Sequence, residues 1–214
     1  SGKRTRYGCT QHSCQKKKRE KIADSEILKI MAREGCIHLK YLDESGFALL
    51  SVLNYSWSKV GKRKCIVQPK KRGRRINVLG VWEPGKRFEY GMSLGSITGA
   101  TFLKFMEWQA GKAAAAYKES ERITVIGMDN YSLPKRKLVR AEWETWQRQS
   151  LYIFFLPPYS PALNRIEDEW GHIRKEDRGG RVYDYEDDLT TGVELAFKQR
   201  YQQRGIALDK YVFN

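Results

Sequence analysis

Residues 151–170, LYIFFLPPYSPALNRIEDEW, decide how the central part of this chain folds. The first six of them are leucine, β-branched or aromatic residues, which predicts a short buried strand. Pro157-Pro158 ends that strand, because proline has no N–H to donate to a ladder. Asn164 suits the cap of a helix that begins at 165–166, so Glu167 falls in its first turn. The helix dipole stabilises a carboxylate there as the anion, and such a rigid position suits a divalent cation.

The composition is that of a globular protein. The chain has 214 residues, of which 41% are hydrophobic, and it contains six tryptophans, enough for a sizeable core. No apolar run approaches the ~20 residues needed to cross a bilayer, and no secretory signal opens the sequence, so we expect no membrane association. Because the chain begins with Ser1-Gly2 rather than methionine, we expect the natural protein to begin further upstream.

The charge is strongly positive and clustered. Forty Lys and Arg against 25 Asp and Glu give a net charge of +15. Residues 45–82 contain no acid, and the first 21 residues contain eight cations against Glu20 alone. Such clusters favour phosphate backbones, although a solvated basic surface and a nuclear localisation signal at 69–75 are alternatives. The DNA-binding residues predicted here are Lys62, Arg63, Lys64, Lys70, Lys71, Arg72, Arg74 and Arg75.

The cysteines do not predict a disulfide framework. There are four, at uneven spacing, so we expect reduced thiols and an intracellular protein, cytoplasmic in a bacterium or nuclear in a eukaryote. Cys9, His12 and Cys14 lie close together in sequence, but their spacing fits no standard zinc site.

Hydrophobic periodicity predicts a mixed α/β fold. A run of strands precedes alternating helices and strands, which indicates an antiparallel meander beside parallel strands, flanked by helices. The predicted strands cover 37–42, 47–57, 76–82, 88–92, 123–128 and 151–156, and the predicted helices cover 17–34, 98–117, 137–148, 165–177 and 184–204.

Three acidic residues are predicted to meet at one edge of this sheet. Asp43 and Asp129 directly follow predicted strands, where open α/β sheets bind their ligands, and Glu167 begins the next helix. Taken singly, each has an ordinary explanation as a strand end or a helix cap. Together, beside a surface of this charge, they favour a site for Mg²⁺ or Mn²⁺, whose paired ions promote phosphoryl transfer.

Four motifs carry a family resemblance: YLDESGF at 41–47, RRINVLG at 74–80, TVIGMDNYS at 124–132 and FFLPPYSPALNRIEDEW at 154–170. In this order they resemble the catalytic domain of mariner-superfamily transposases, nearest to the branch of the bacterial insertion sequences. The resemblance implies an RNase H-like fold in which Asp43, Asp129 and Glu167 form the catalytic DDE triad. It also implies two Mg²⁺ ions per site, with Mn²⁺ as a substitute, and a homodimer acting on transposon ends and target DNA.

The reaction that the resemblance implies is cut-and-paste transposition. Metal-dependent hydrolysis at the transposon end frees a 3′-hydroxyl, which then attacks target DNA, commonly at a TA dinucleotide, without a covalent protein intermediate. By the resemblance, residues 37–180 form the catalytic domain, 1–36 a basic arm and linker helix, and 181–214 a helical extension. Two alternatives remain, an RNase H-like nuclease and a non-catalytic DNA-binding descendant of a transposase.

The chain departs from the family pattern at several points. Pro134 stands where histidine is frequent and Arg165 where proline is frequent, and 37 residues separate Asp129 from Glu167. Asp168 and Glu169 are rival third acids, but they point about 100° and 200° around the helix from Glu167. Residues 1–40 contain no helix-turn-helix pair, so we expect a longer natural protein or a partner that reads the transposon end.

Four further residues invite a functional role. Asn130 follows the second aspartate and could orient substrate or the water on a metal, although a turn-forming role is equally compatible with its position. Trp57 suits either packing or contact with DNA. We expect Trp170 to support the core, and we assign no catalytic role to His172, because a metal-activated water needs no imidazole.

Overall fold

A computed structural model describes residues 11–49, 75–129, 133–157, 160–174 and 183–213. The helices are α1 (Gln11–Arg33), α2 (Gly99–Ser120), α3 (Leu133–Arg148), α4 (Ile166–His172) and α5 (Glu186–Gln203). The strands are β1 (His38–Phe47), β2 (Ile76–Glu83), β3 (Arg87–Leu94), β4 (Thr124–Met128), β5 (Leu151–Phe155) and β6 (Ala207–Tyr211). A short 3-10 turn, Pro161–Leu163, precedes α4. Among the described helices, none is long and apolar enough to cross a membrane.

The six strands form one mixed sheet in the order β5-β4-β1-β2-β3-β6. The pairs β1–β2 and β2–β3 are antiparallel, whereas β4 is parallel to both β1 and β5. This confirms the predicted meander beside parallel strands. The parallel pair β3–β6 extends the sheet at its far edge, and the sequence analysis did not predict β6.

Alternation along the strands separates two hydrophobic cores. Tyr41 and its neighbours on one face pack with α4 and α5, and Leu42 on the other face packs with α2 and α3. The first core is aromatic at its centre: Phe88 stacks on Tyr201 with ring centroids 4.6 Å apart and meets Trp170 edge-on at 5.5 Å. This aromatic packing holds α4 and α5 against the meander.

The structure corrects the predicted start of the meander. β1 does not end before Asp43 but continues to Phe47, because β2 keeps pairing with it from Tyr41 to Phe47 after the parallel partner β4 has ended. Phe47 is therefore the last residue of β1 and does not begin a second strand. The remainder of the predicted strand, 50–57, lies outside the described residues.

The predicted cap of α4 is also wrong. The residue that precedes the helix is Arg165, which makes no side-chain cap. Asn164 is buried instead, and its Nδ2 donates to the backbone oxygen of Leu42 at 3.4 Å. Its main-chain oxygen accepts from the amide of Glu167 at 3.0 Å. Because its side chain reaches across to β1, Asn164 ties the start of α4 to the centre of the sheet.

Candidate active site

The parallel pair β1–β4 brings two aspartates together. Its last paired residues are Leu42 and Met128, so Asp43 and Asp129 follow at the same level on neighbouring strands. Asp43 lies two residues after Tyr41, and side chains two apart in a strand share a face. Asp43 therefore faces the layer of α4 and α5, where Tyr41 is buried.

Packing of α4 brings Glu167 to the same place. Ile166 and Trp170 are buried on the core side of this helix, and Glu167 lies between them in the first turn, half-buried. A Cβ at Gly80 would come within 2.6 Å of the Trp170 ring. The absence of a side chain at Gly80 thus lets Trp170 pack directly on β2, and this fixes the position of the first turn.

Electrostatics shows that the three carboxylates share one environment. Burial, together with the charges of Glu167 and Asp129, raises the pKa of Asp43 to about 7, although a backbone hydrogen bond from Glu44 opposes the rise. Burial also raises the pKa of Asp129, and burial with the charges of Asp129 and Asp168 raises that of Glu167. Carboxylates close enough for the charge of one to raise the pKa of a neighbour are stabilised by a shared cation.

The donor set fits a hard divalent cation. Carboxylate oxygens are the ligands that Mg²⁺ and Mn²⁺ prefer. Two buried polar atoms lie beside the cluster, Trp170 Nε1 and Asn164 Oδ1, and neither has a hydrogen-bond partner of ordinary geometry among the described residues. The Trp170 indole is nevertheless near enough to Asp43 to lower the pKa of that carboxyl. In the described part of the chain, however, no three acidic, histidine or cysteine side chains are already close enough together to hold a metal ion.

The rival acids on α4 have other surroundings. Glu169 is buried and accepts hydrogen bonds from Arg200 Nε at 2.9 Å, Arg204 Nη1 at 3.1 Å and the Tyr201 hydroxyl at 3.3 Å. Burial alone would raise the pKa of Glu169, but the two guanidinium groups bring it below its ordinary value. Asp168 is exposed. Glu167 is thus the one acid of this helix turn whose environment includes Asp129.

Sequence reasoning missed Arg174 beside the acids, and it gave Arg75 a DNA-binding role without placing it there. Arg174 Nη2 donates to Ser45 Oγ at 2.6 Å, and its charge acts on Asp43 and Glu167. Arg75 lies alongside, so near the strand that a Cβ at Gly46 would be 1.7 Å from its Nε. The signal was present in the spacing, because Arg174 lies seven positions after Glu167 and seven positions are about two helical turns.

Most of the other predicted site residues lie outside the described residues. Among the predicted DNA-binding residues, Arg75 lies within the described part of the chain, where its side chain is exposed. Outside the described residues or side chains are Lys62, Arg63, Lys64, Lys70, Lys71, Arg72, Arg74, Asn130, Trp57, Pro134, Cys9, His12 and Cys14. Trp170 is buried in the core as predicted, and His172 is exposed.

Known structures share this fold. The mariner Mos1 paired end complex with Mg matches with a TM-score of 0.62 and 13% identity, covering 94% of this chain and 59% of that one. The corresponding complex with Mn matches with a TM-score of 0.58 and 13% identity, covering 93% of this chain and 59% of that one. The catalytic domain of Mos1 mariner transposase matches with a TM-score of 0.56 and 14% identity, covering 90% of this chain and 84% of that one. At such identities the likeness shows the fold, and the chain spans about 59% of the length of the two complexes.

Sequence comparison gives the family. No curated protein matches the chain. The profile described as DDE superfamily endonuclease matches residues 38–190, which is more than half of the sequence and contains all three acids. The family match confirms the predicted DDE family, and the fold is the one that the Mos1 structures share, while the bacterial branch stays a prediction. The chain is a member of the DDE superfamily endonuclease family.

Proposed function

We propose that this chain is the catalytic domain of a DNA transposase that cleaves transposon ends and joins them to target DNA. The observation that carries the proposal is the convergence of Asp43, Asp129 and Glu167 from β1, β4 and α4 without a lysine or arginine in ion-pair contact among the described residues. Acids that lie together without an ion-pair contact, in a basic protein, suit an external cation and an anionic substrate.

The three carboxylates would hold Mg²⁺, or Mn²⁺ in its place, and we propose two ions per site. Bound there, such ions generate a nucleophile at neutral pH and stabilise the leaving oxygen of an in-line displacement. The chain's own contribution is positioning. Trp170 closes the site from the core side, and the bond from Arg174 to Ser45 holds a guanidinium beside Asp43 and Glu167.

The proposed partners are transposon-end DNA, target DNA and a second copy of the chain in the active complex. The Mos1 structures that share this fold include a paired-end complex with the left transposon end and a strand transfer complex, which supports this choice. We retain residues 37–180 as the proposed catalytic domain, 1–36 as arm and linker helix, and 181–214 as the extension. The basic segment from Lys62 to Arg75 remains the proposed backbone-binding surface, in a DNA-containing compartment of the cell.

The test is incubation of the purified chain with a duplex that carries the terminal repeat found beside its gene, in Mn²⁺ and in chelator. The proposal expects metal-dependent cleavage of the duplex and joining of a free 3′ end to a second duplex, while choice of the repeat is left to the longer protein or partner that reads the transposon end. Preferential cutting of an RNA–DNA hybrid would instead favour an RNase H-like nuclease. Binding without any cleavage would favour a non-catalytic descendant.

A further inference from the structure

A cavity of about 240 Å³ lies next to the acids, between α1, β1, the β2–β3 turn and the start of α4. Four cations line it, Lys29, Arg33, Lys86 and Arg165, against a single carboxylate, Glu83. Pockets for whole drug-sized ligands measure about 300–1,000 Å³. This cavity therefore suits a smaller anionic group, about the size of one nucleotide.

The two arginines of the cavity form no ion pair with the described residues. Lys86 pairs with Glu83 at 3.0 Å, and Lys29 pairs with Glu26 at 2.8 Å. Arg33 and Arg165 have no carboxylate partner among the described residues, and the Arg165 guanidinium lies 5.9 Å from the centre of the Trp82 ring. Planar guanidinium groups without a carboxylate are well suited to bind phosphate.

The floor of the cavity is apolar with one polar group. Ile37, Leu39 and Tyr41 line it from alternate positions at the start of β1, together with Ala32 of α1. Tyr41 is 2% exposed, and its hydroxyl makes no hydrogen bond within the described residues. An apolar and aromatic floor beneath a cationic rim matches a nucleotide, which has a flat base and sugar attached to a phosphate.

The cavity adjoins the acids along two elements. Tyr41 precedes Asp43 by two residues on the same face of β1, and Arg165 precedes Glu167 by two residues at the start of α4. We propose that the cavity binds a nucleotide of the DNA strand beside the phosphate at the acids, with Arg33 and Arg165 on its phosphate and Tyr41 beneath it. This inference rests on the proposed function.

The experiment measures binding of a short fluorescent oligothymidylate to the full chain by anisotropy over a range of salt concentrations, without metal. Arg33→Ala should weaken binding about tenfold and reduce the slope of log K against log salt by about 0.7, the value for one phosphate contact to a single strand. Tyr41→Phe should weaken binding without changing the slope. Arg140→Ala is the matched control, because Arg140 is exposed on α3, on the other face of the sheet.

Four outcomes are decisive. Weaker binding and a lower slope for Arg33→Ala, with Arg140→Ala like wild type, would support the inference. Equal effects of the two arginine variants, or none, would overturn it. Displacement of the oligothymidylate by an equal concentration of inorganic phosphate would also overturn it, since a free phosphate would then be the ligand. Absence of metal-dependent cleavage by wild type would contradict the proposed function alone, because oligothymidylate binding needs neither metal nor cleavage.

Discussion

Helix α4 carries two glutamates, two residues apart, whose surroundings are opposite. Glu169 is buried against Arg200 and Arg204 of α5, and these cations hold its pKa below the ordinary value. Glu167 shares its surroundings with Asp129 and Asp43, and its pKa lies above the ordinary value. Two arginines form ion pairs with the acid that holds the helices together, whereas within the described residues the acids at the sheet edge form no ion pair and have only the nearby charge of Arg174. This difference distinguishes a structural carboxylate from the proposed metal ligands.

The largest effect is expected on catalysis. Asp43→Asn, Asp129→Asn or Glu167→Gln should each reduce metal-dependent cleavage by at least about a hundredfold, because each removes one charged oxygen donor from the site. DNA affinity should stay near wild type, since it depends mainly on distant cations. Gel assays of cleavage and filter binding measure the two separately. Asp168→Asn is the control variant. If it lost as much cleavage as Glu167→Gln, the choice of Glu167 as the third acid of the site would be contradicted.

Removing the structural acid should affect stability instead. Glu169→Gln leaves Arg200 and Arg204 without their carboxylate, and breaking a buried ion pair costs about 3 kcal/mol. The Arg200 side chain is 9% exposed in this pair, so water can solvate its charge only slightly once the carboxylate is lost. Urea unfolding measures the change in the free energy of unfolding. Glu167→Gln serves as the matched variant, and an equal loss of stability in both would remove the distinction between the two glutamates.

Much of this arrangement was predictable, because its signals are local. The apolar runs at 76–82, 123–128 and 151–156 predicted β2, β4 and β5. The extension of β1 was not predictable, since Ser45-Gly46 is a weak strand former and its pairing comes from β2. Similarly, spacing on α4 cannot show that Arg200 and Arg204, some thirty residues later, will form ion pairs with Glu169 and not with Glu167.

β6 shows the same limit at the other edge of the sheet. The segment ALDKY lacks a strong alternation of apolar and polar residues, and its pairing with β3 is an interaction between distant parts of the chain. Tyr211 and Phe213 then pack near Phe105 and Trp108 of α2. Tertiary packing of this kind cannot be inferred from a five-residue window.

The pH dependence of stability should distinguish the two kinds of acid. A folded-state pKa of Asp43 near 7, above its ordinary value of 3.8, means that the folded state holds a proton that the unfolded state has released. Asp43 therefore destabilises the metal-free protein as pH rises from about 4 to 7. Asp43→Asn should be more stable than wild type by about 2 kcal/mol at pH 8 and equal to it near pH 4.

Thermal melts with and without Mg²⁺ at these two pH values measure the effect. Addition of Mg²⁺ should raise the melting temperature of wild type at pH 8 and have much less effect on Asp43→Asn, because the ion relieves the repulsion among the carboxylates. Asp168→Asn should respond to Mg²⁺ like wild type. A destabilised Asp43→Asn at pH 8 would show that Asp43 has a cation partner within the protein.

The smallest effect is expected at Glu83, a paired acid at the end of β2. Burial alone would raise its pKa, but hydrogen bonds from His38 Nδ1 at 3.0 Å and Lys86 Nζ at 3.0 Å, with the charges of both, bring it below the ordinary value. Because the pKa of Glu83 is lower in the folded state, its charged form stabilises the fold at pH values above its unfolded-state pKa of about 4.5. That stabilisation is lost as the pH falls through the folded-state pKa. Because Lys86 is largely exposed, we expect Glu83→Gln to cost only about 0.5 kcal/mol at pH 7 and almost nothing at pH 3. Urea unfolding at the two pH values measures the difference in the free energy of unfolding. A Glu83→Gln variant more stable than wild type at pH 7 would show that the charge of Glu83 destabilises the fold, as the charge of Asp43 is expected to do.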